Sequence, residues 1–220
     1  TGNDPFAVQG GYDLVVSVKP DDENFIVIGG SNAYKIEDVE NDFSFIRIGG
    51  YANNFGYSLY AVGGVNHHPD IHALVFDPNN ENVLFSATDG GVHKTIDVGA
   101  SSVAWENLNN NYITYQFYHV ALDPEEASNA VIGGAQDNGT KIGGTDLGLE
   151  DNTQMRYWYG GDGVAVGITQ RGDDNTFQYY YGSQKGNIRT NYPSCCRSIK
   201  PNGSSSQFVT YFYLDSDNTN

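Results

Sequence analysis

A chain of 220 residues is long enough to bury a substantial core. Its net charge of −16, from 11 Lys and Arg against 27 Asp and Glu, excludes a protein that grips a phosphate backbone, which needs a basic surface. No apolar run approaches the roughly 18 residues of a membrane-crossing helix; with 27 Gly, 16 Tyr, 11 Phe and one Met, and no apolar spacing of three and four sustained beyond two turns, the composition predicts an all-β chain.

Residues 1–11 read as an irregular lead-in, and the start at Thr1, without a charged-then-apolar leader, reads as a processed or excised piece. Short β-branched and aromatic runs separated by Asp, Asn, Gly and Pro then predict antiparallel strands joined by tight turns. A first unit, 12–48, carries Leu14 to Val18, Phe25 to Ile28, Ala33 to Ile36 and Phe43 to Ile48. An insertion, 49–66, is rich in Gly, Tyr and Asn. The second unit, 71–107, is the clearest, with strands at 71–77, 82–88, 91–95 and 103–107. A third, 117–159, and a fourth, 164–200, follow, and 207–214 resembles the opening strand of a further unit.

Spacing ties these units together. Thr88 to Gln136 is 48 residues and Gln136 to Gln184 is 48 again, whereas Ser31 to Asp89 is 58, the excess matching the insertion. A period of about 40–50 residues with four strands per repeat predicts a β-propeller of four-stranded antiparallel blades. A β-sandwich also uses short strands, but it need not repeat its turn chemistry at constant spacing. Four units and part of a fifth imply a fragment of one larger propeller domain, of about seven blades.

In such a blade the entry to the first strand and the turn between the second and third share one end. That end collects His67, His68, Asp70 and His72, then Asp89, then Tyr115, Gln116 and Tyr118, with Gln136, Asp137, Asn138, Asp162, Gln184 and Lys185. His68-x-Asp70-x-His72 alternates on an extended segment, so its three side chains share a side, and two imidazoles with a carboxylate suit zinc or another divalent metal. The competing role is to pin the strand entry by hydrogen bonds. Asp162, between glycines, is expected beside the Gln136–Asn138 turn. Asp70, Asp89, Asp137 and Asp162 could supply the paired carboxylates of a glycosidase, with Asp89 and Asp162 the two singled out. Tyr-rich segments at 51–60, 112–118, 157–159 and 179–181 offer stacking surfaces for sugars or serve core packing. Cys195 and Cys196 are adjacent; neighbouring Cα atoms lie about 3.8 Å apart, closer than the about 4.4–6.8 Å usual for a disulfide, so free thiols or partners outside this segment are expected.

The ordered set His68-Pro-Asp70-Ile-His72, Asp89-Gly-Gly-Val, Gln116-Phe-Tyr, Gly133-Gly-Ala-Gln136-Asp137-Asn138-Gly-Thr and Gly160-Gly-Asp162-Gly resembles the BNR/Asp-box repeat propellers. These include sortilin-like and xyloglucanase-like seven-bladed folds, and many are secreted bacterial proteins with a separate C-terminal sorting domain. Thr95-Ile-Asp97-Val-Gly99, ending at Trp105, is similar to an Asp-box with extra residues before the Trp. The first and fourth units lack a clear one, and no arginine triad for a sialic acid is visible. With no single decisive nucleophile or complete metal motif in the sequence, the expectation is a non-catalytic, secreted or cell-surface module that binds a glycan or extracellular protein through His68, Asp70, His72, Gln116, Tyr118, Gln136, Asp137, Asn138 and Gln184. The alternative that the resemblance implies is a xyloglucanase-like glycoside hydrolase using Asp89 and Asp162. The remaining blades and a sorting domain would then lie outside this segment.

Overall fold

The structure, a computed structural model, describes residues 6–110, 112, 115–171 and 176–215. It divides into two compact units, Thr1–Ile113 and Thr114–Asn220. Among the described residues there is no α-helix, and two short 3₁₀ turns are the only helical segments. The chain is all-β, built of four-stranded antiparallel sheets whose strands neighbour one another in sequence order, the blade of a β-propeller.

In unit 1 the first blade contains β1 (Val15–Lys19), β2 (Asp22–Gly29), β3 (Ala33–Ile36) and β4 (Ile46–Gly49). The second contains β5 (Ile71–Asp77), β6 (Asn80–Thr88), β7 (Gly91–Thr95) and β8 (Glu106–Asn107). Short polar side chains set the turns: Asp77 Oδ1 accepts the Asn79 N–H at 2.8 Å and Asn80 Oδ1 that of Asn82 at 3.1 Å, the local bonding for which Asp and Asn are favoured there. The blades meet through one core, in which Phe25, Val27 and Ile48 pack with Leu74, Phe76, Leu84, Val98, Val103 and Trp105. Trp105 is buried, and its Nε1–H donates to Ile48 O at 2.5 Å, so a side chain of the second blade closes the edge of the first.

Lys35 on β3 is wholly buried. Its Nζ donates to Gly99 O at 3.1 Å and Ala100 O at 2.8 Å in the turn after β7, and pairs with Glu37 at 2.6 Å. An ammonium out of water needs such partners, and here the neighbouring blade supplies two of them. His67 is equally buried, stacked between His93 and Trp105 at 4.7 and 4.4 Å between ring centroids.

In unit 2 one blade contains β9 (Phe117–Leu122), β10 (Val131–Ala135), β11 (Gly139–Gly143) and β12 (Met155–Tyr159). The other contains β13 (Val166–Arg171), β14 (Thr176–Ser183), β15 (Asn187–Thr190) and β16 (Arg197–Ser198). Ile132 and Ile142 pack against Val166, Ile168, Tyr179 and Tyr181. The blades approach closely at Gly134, where a Cβ would lie 2.0 Å from Val164 O; only glycine fits.

Two expectations are corrected. Gln207 to Leu214 forms no strand. A first strand is defined by its ladder to a second, and this segment instead lays Leu214 against Gly167 of β13 and offers Phe208 O to the Lys185 N–H at 2.9 Å. Cys195 and Cys196 are bonded to each other. The peptide between them is cis, with Cα atoms 3.2 Å apart, and the expectation of unpaired thiols rests on the trans spacing. Two strands are also shorter than expected: the fourth strand of the first blade begins at Ile46 and that of the second at Glu106.

Lys35→Met keeps the aliphatic stem but removes two charge-assisted hydrogen bonds and an ion pair. It is expected to lower the stability of the chain by about 2–3 kcal/mol, read as a lower denaturant midpoint with an unchanged slope.

Candidate functional site

The strand-entry end of unit 1 is built by backbone pairing before any side chain takes part. The Asp70 N–H donates to Ser31 O at 3.1 Å and the Ile71 N–H to Gly30 O at 2.9 Å, so β5 begins against the β2–β3 turn. The Asp89 N–H then donates to Asp70 O at 3.2 Å, adding the β6–β7 turn. Asp70 takes the left-handed conformation, with φ 62°, which Asp tolerates better than most residues. His68 packs its ring over Gly90, where a Cβ would lie 2.3 Å from His68 Cγ.

A carboxylate cluster is held within this frame. Gln9, from the lead-in, donates its Nε2–H₂ to Asp13 Oδ2 at 2.8 Å and to Asp70 Oδ1 at 2.6 Å, with Ser31 Oγ at 3.4 Å. His72 Nε2 lies 2.5 Å from Asp89 Oδ1, and its Nδ1 lies 3.9 Å from Asp13 Oδ1. Tyr12 packs edge-on against the His72 ring at 5.0 Å. Asp13 has no exposure and Asp70 8%, while Tyr12 and His72 are exposed. The acids thus lie beneath an aromatic pair that faces solvent.

Burial, reinforced by the Asp13 charge, pushes the Asp70 carboxyl up to about 7. Burial also raises Asp13, partly offset by its hydrogen bond to Asp70. Two buried like charges cannot both ionise cheaply, so the pair retains a proton near neutrality. The nearby His67 is shifted in the other direction, held well below its usual value by burial and by His93.

The corresponding end of unit 2 is also closed by its own polar groups. Gln136 N–H donates to Gln116 O at 3.1 Å, and Tyr118 O–H donates to Gln136 Oε1 at 2.8 Å. Asn138 Nδ2 donates to Gln136 O at 3.0 Å. Asp162 lies beside this turn, as its position between glycines suggested: Oδ1 accepts the Asp137 N–H at 3.1 Å, and its own N–H donates to Gln184 Oε1 at 3.1 Å. Asp137 occupies the left-handed region, with φ 56°, where it serves the turn.

His68, Asp70 and His72, the residues expected to suit a metal, point to different partners. Ligand atoms of His68, Asp70 and His72 do not gather within 4.8 Å of one another among the described residues. The alternation of an extended segment is broken at its middle residue by the left-handed Asp70. His68 turns its Nδ1 toward Pro69 O at 2.9 Å, and His72 turns to Asp89. The two carboxylates singled out for catalysis are each committed inside their own unit, Asp89 to His72 and Asp162 to the Asp137 amide.

Gln9, Tyr12 and Asp13 were missed because they lie ahead of the first strand pattern, Gln9 in the lead-in and Tyr12 and Asp13 at the opening of the first unit. A signal was present. Asp13 precedes β1 as Asp70 precedes β5 and Asp162 precedes β13, so the repeat that located the blades also marks an acid at three of the four strand entries.

The raised carboxyl and the lowered imidazole make opposite demands on pH. Folding binds an extra proton at Asp70 between its unfolded value near 3.8 and about 7, so this stabilisation is complete at low pH and lost as pH rises through about 7. His67 must remain neutral, and its contribution is lost as pH falls below about 6.5. Asp70→Asn keeps an acceptor for Gln9 and supplies a permanent donor to Asp13. The melting temperature of the variant minus that of the wild type is expected to rise from pH 4 to pH 7 and to be flat and positive above pH 8.

No family model matches the sequence, and no curated protein matches it. Among solved structures the chain is similar to the structure of U3-55K, at 10% identity and a TM-score of 0.30, over 81% of this chain and 48% of that one. It is similar to the crystal structure of RRP9 WD40 repeats at the same identity and TM-score, over 89% of this chain and 53% of that one. The chain therefore spans about half the length of these structures.

Proposed function

We propose that the chain is a secreted or cell-surface binding module of β-propeller type. Its ligand is a glycan or an extracellular protein, taken at the strand-entry end of the blades. The observation that carries this reading is the exposed Tyr12–His72 pair, fixed from below by Asp89, Asp13 and Gln9. An aromatic platform with a polar edge, held in one geometry before the ligand arrives, lowers the ordering cost of binding. The polar residues of the unit 2 end, Tyr118, Gln136, Asn138, Asp162 and Gln184, are spent largely on turn-to-turn hydrogen bonds. That pattern suits a rigid recognition surface better than a reacting centre. The Asp-box resemblance is supported by the Asp97 turn, whose Oδ1 accepts the Gly99 N–H at 3.1 Å, and by the buried Trp105.

A glycoside hydrolase is the second reading, and one observation favours it. Asp70 holds a proton near neutral pH beside the Asp13 carboxylate, the arrangement a general acid needs.

A panel of polysaccharides and extracellular-matrix proteins separates the two. For a binding module, His72→Ala is expected to weaken capture of the retained ligand at least tenfold, measured well below the melting temperature of the variant, and no reducing sugar is released. Sugar release by the wild type that Asp70→Asn abolishes would replace the binding module with the hydrolase.

A further inference from the structure

The insertion after β4 differs in chemistry from the rest of the chain. From Gly49 to Asn66 there are 18 residues without one Asp, Glu, Lys or Arg, in a chain of which 17% is charged. The segment is nevertheless folded back on itself. The Ala52 N–H donates to Ser58 O at 2.7 Å, the Tyr60 N–H to Gly50 O at 2.8 Å, and the His67 N–H to Tyr60 O at 2.8 Å. Its base is fixed by Arg47, which donates to Tyr51 O at 2.6 Å and also bonds Asn54 Oδ1. Tyr60 O–H reaches Val103 O of the second blade at 3.0 Å.

The tip of this rigid finger is apolar and open to water. Phe55 is 96% exposed and Tyr57 80%, while Tyr51 supports Tyr57 edge-on at 5.6 Å. Leaving two rings in solvent on an ordered loop forgoes burial of about 150 Å² or more for each. The side chains around them are amides and hydroxyls, Asn53, Asn54 and Ser58.

We propose that residues 51–60 form a carbohydrate-binding platform on which Phe55 and Tyr57 stack against the rings of an uncharged polysaccharide. This rests on the binding-module reading and narrows it to one ligand class and a second contact element. Flat apolar faces of pyranose rings match exposed aromatics, and amide and hydroxyl groups match sugar hydroxyls. The insertion itself offers no ion-pair partner to an acidic glycan, Arg47 at its base is already engaged by Tyr51 O and Asn54 Oδ1, and the net charge of −16 repels a polyanion.

The test is affinity electrophoresis of the full chain in gels containing hydroxyethyl cellulose, galactomannan or polygalacturonate, alongside phosphatidylcholine vesicle sedimentation. Wild type, Phe55→Ala/Tyr57→Ala and His72→Ala are compared, with melting temperatures recorded. The expected result is retardation by at least one neutral polysaccharide and none by polygalacturonate. The double variant should lose at least tenfold in apparent affinity with unchanged melting, because both rings are exposed. A double variant retarded as strongly as the wild type, with His72→Ala impaired, overturns the platform and leaves the binding module standing. Preference for polygalacturonate, or sedimentation with vesicles in place of retardation, also overturns the platform. Should the wild type bind no polysaccharide, the platform falls, and His72-dependent capture of a matrix protein decides the module separately.

Discussion

A strand that begins a sheet leaves its leading backbone amides without a ladder, and burying them unpaired is costly. In unit 1 the amides of Asp70 and Ile71 are satisfied by the carbonyls of Ser31 and Gly30; in unit 2 the Gly163 N–H is satisfied by Ala135 O at 3.0 Å. Each bond joins the entry of one blade to the preceding blade. The glycine approach at Gly134, the left-handed turn at Asp70 and the placement of the polar side chains all follow from this pairing. The polar ends of the blades are therefore consequences of how the sheets are joined, and recognition chemistry is added on top of them.

That arrangement puts ionisable groups in dry places. Asp13 and Asp70 are buried for the same reason that the strand entry is closed, and they resolve the conflict by retaining a proton. His67, packed against His93 and Trp105, and His93 itself are pushed toward the neutral form by burial. Lys35 remains paired because carbonyls and Glu37 surround it. Unit 1 thus contains three separate answers to buried charge within a few turns of chain. Each ties a residue of one sheet to a group contributed by a neighbouring segment.

The four-stranded sheets were legible in the sequence because turn chemistry recurs at fixed spacing and each strand is short and rich in branched or aromatic residues. Within each unit, the placement of Asp70 and Asp89, and of Gln136 and Asp162, at the strand entries follows from the same alternation of up and down strands. What could not be read was orientation at single residues. Whether His68, Asp70 and His72 share a side depends on one backbone angle, at Asp70, and Asp is common on both sides of φ zero in turns. The bond between Cys195 and Cys196 depends on the isomer of one peptide. Gln9 and Asp13 lie ahead of the first strand pattern, and their role emerges only where Gln9 joins Asp13 to Asp70.

The reach of Lys35 into the turn after β7 bears on how such a chain can change. Its acceptors are the backbone carbonyls of Gly99 and Ala100 in the neighbouring blade, so the contact depends on the path of the turn and not on a side chain at those two positions. Asp97 and the buried Val98 keep that path, the first through the Gly99 N–H and the second through the core, and a deletion or insertion there is felt one blade away. The unit of duplication and the unit of stability are then not the same. A copied 48-residue repeat would carry its own strands but would leave its cation facing whatever turn the next copy presents. For this contact the path of the turn after β7 is the quantity that the two blades must keep in common.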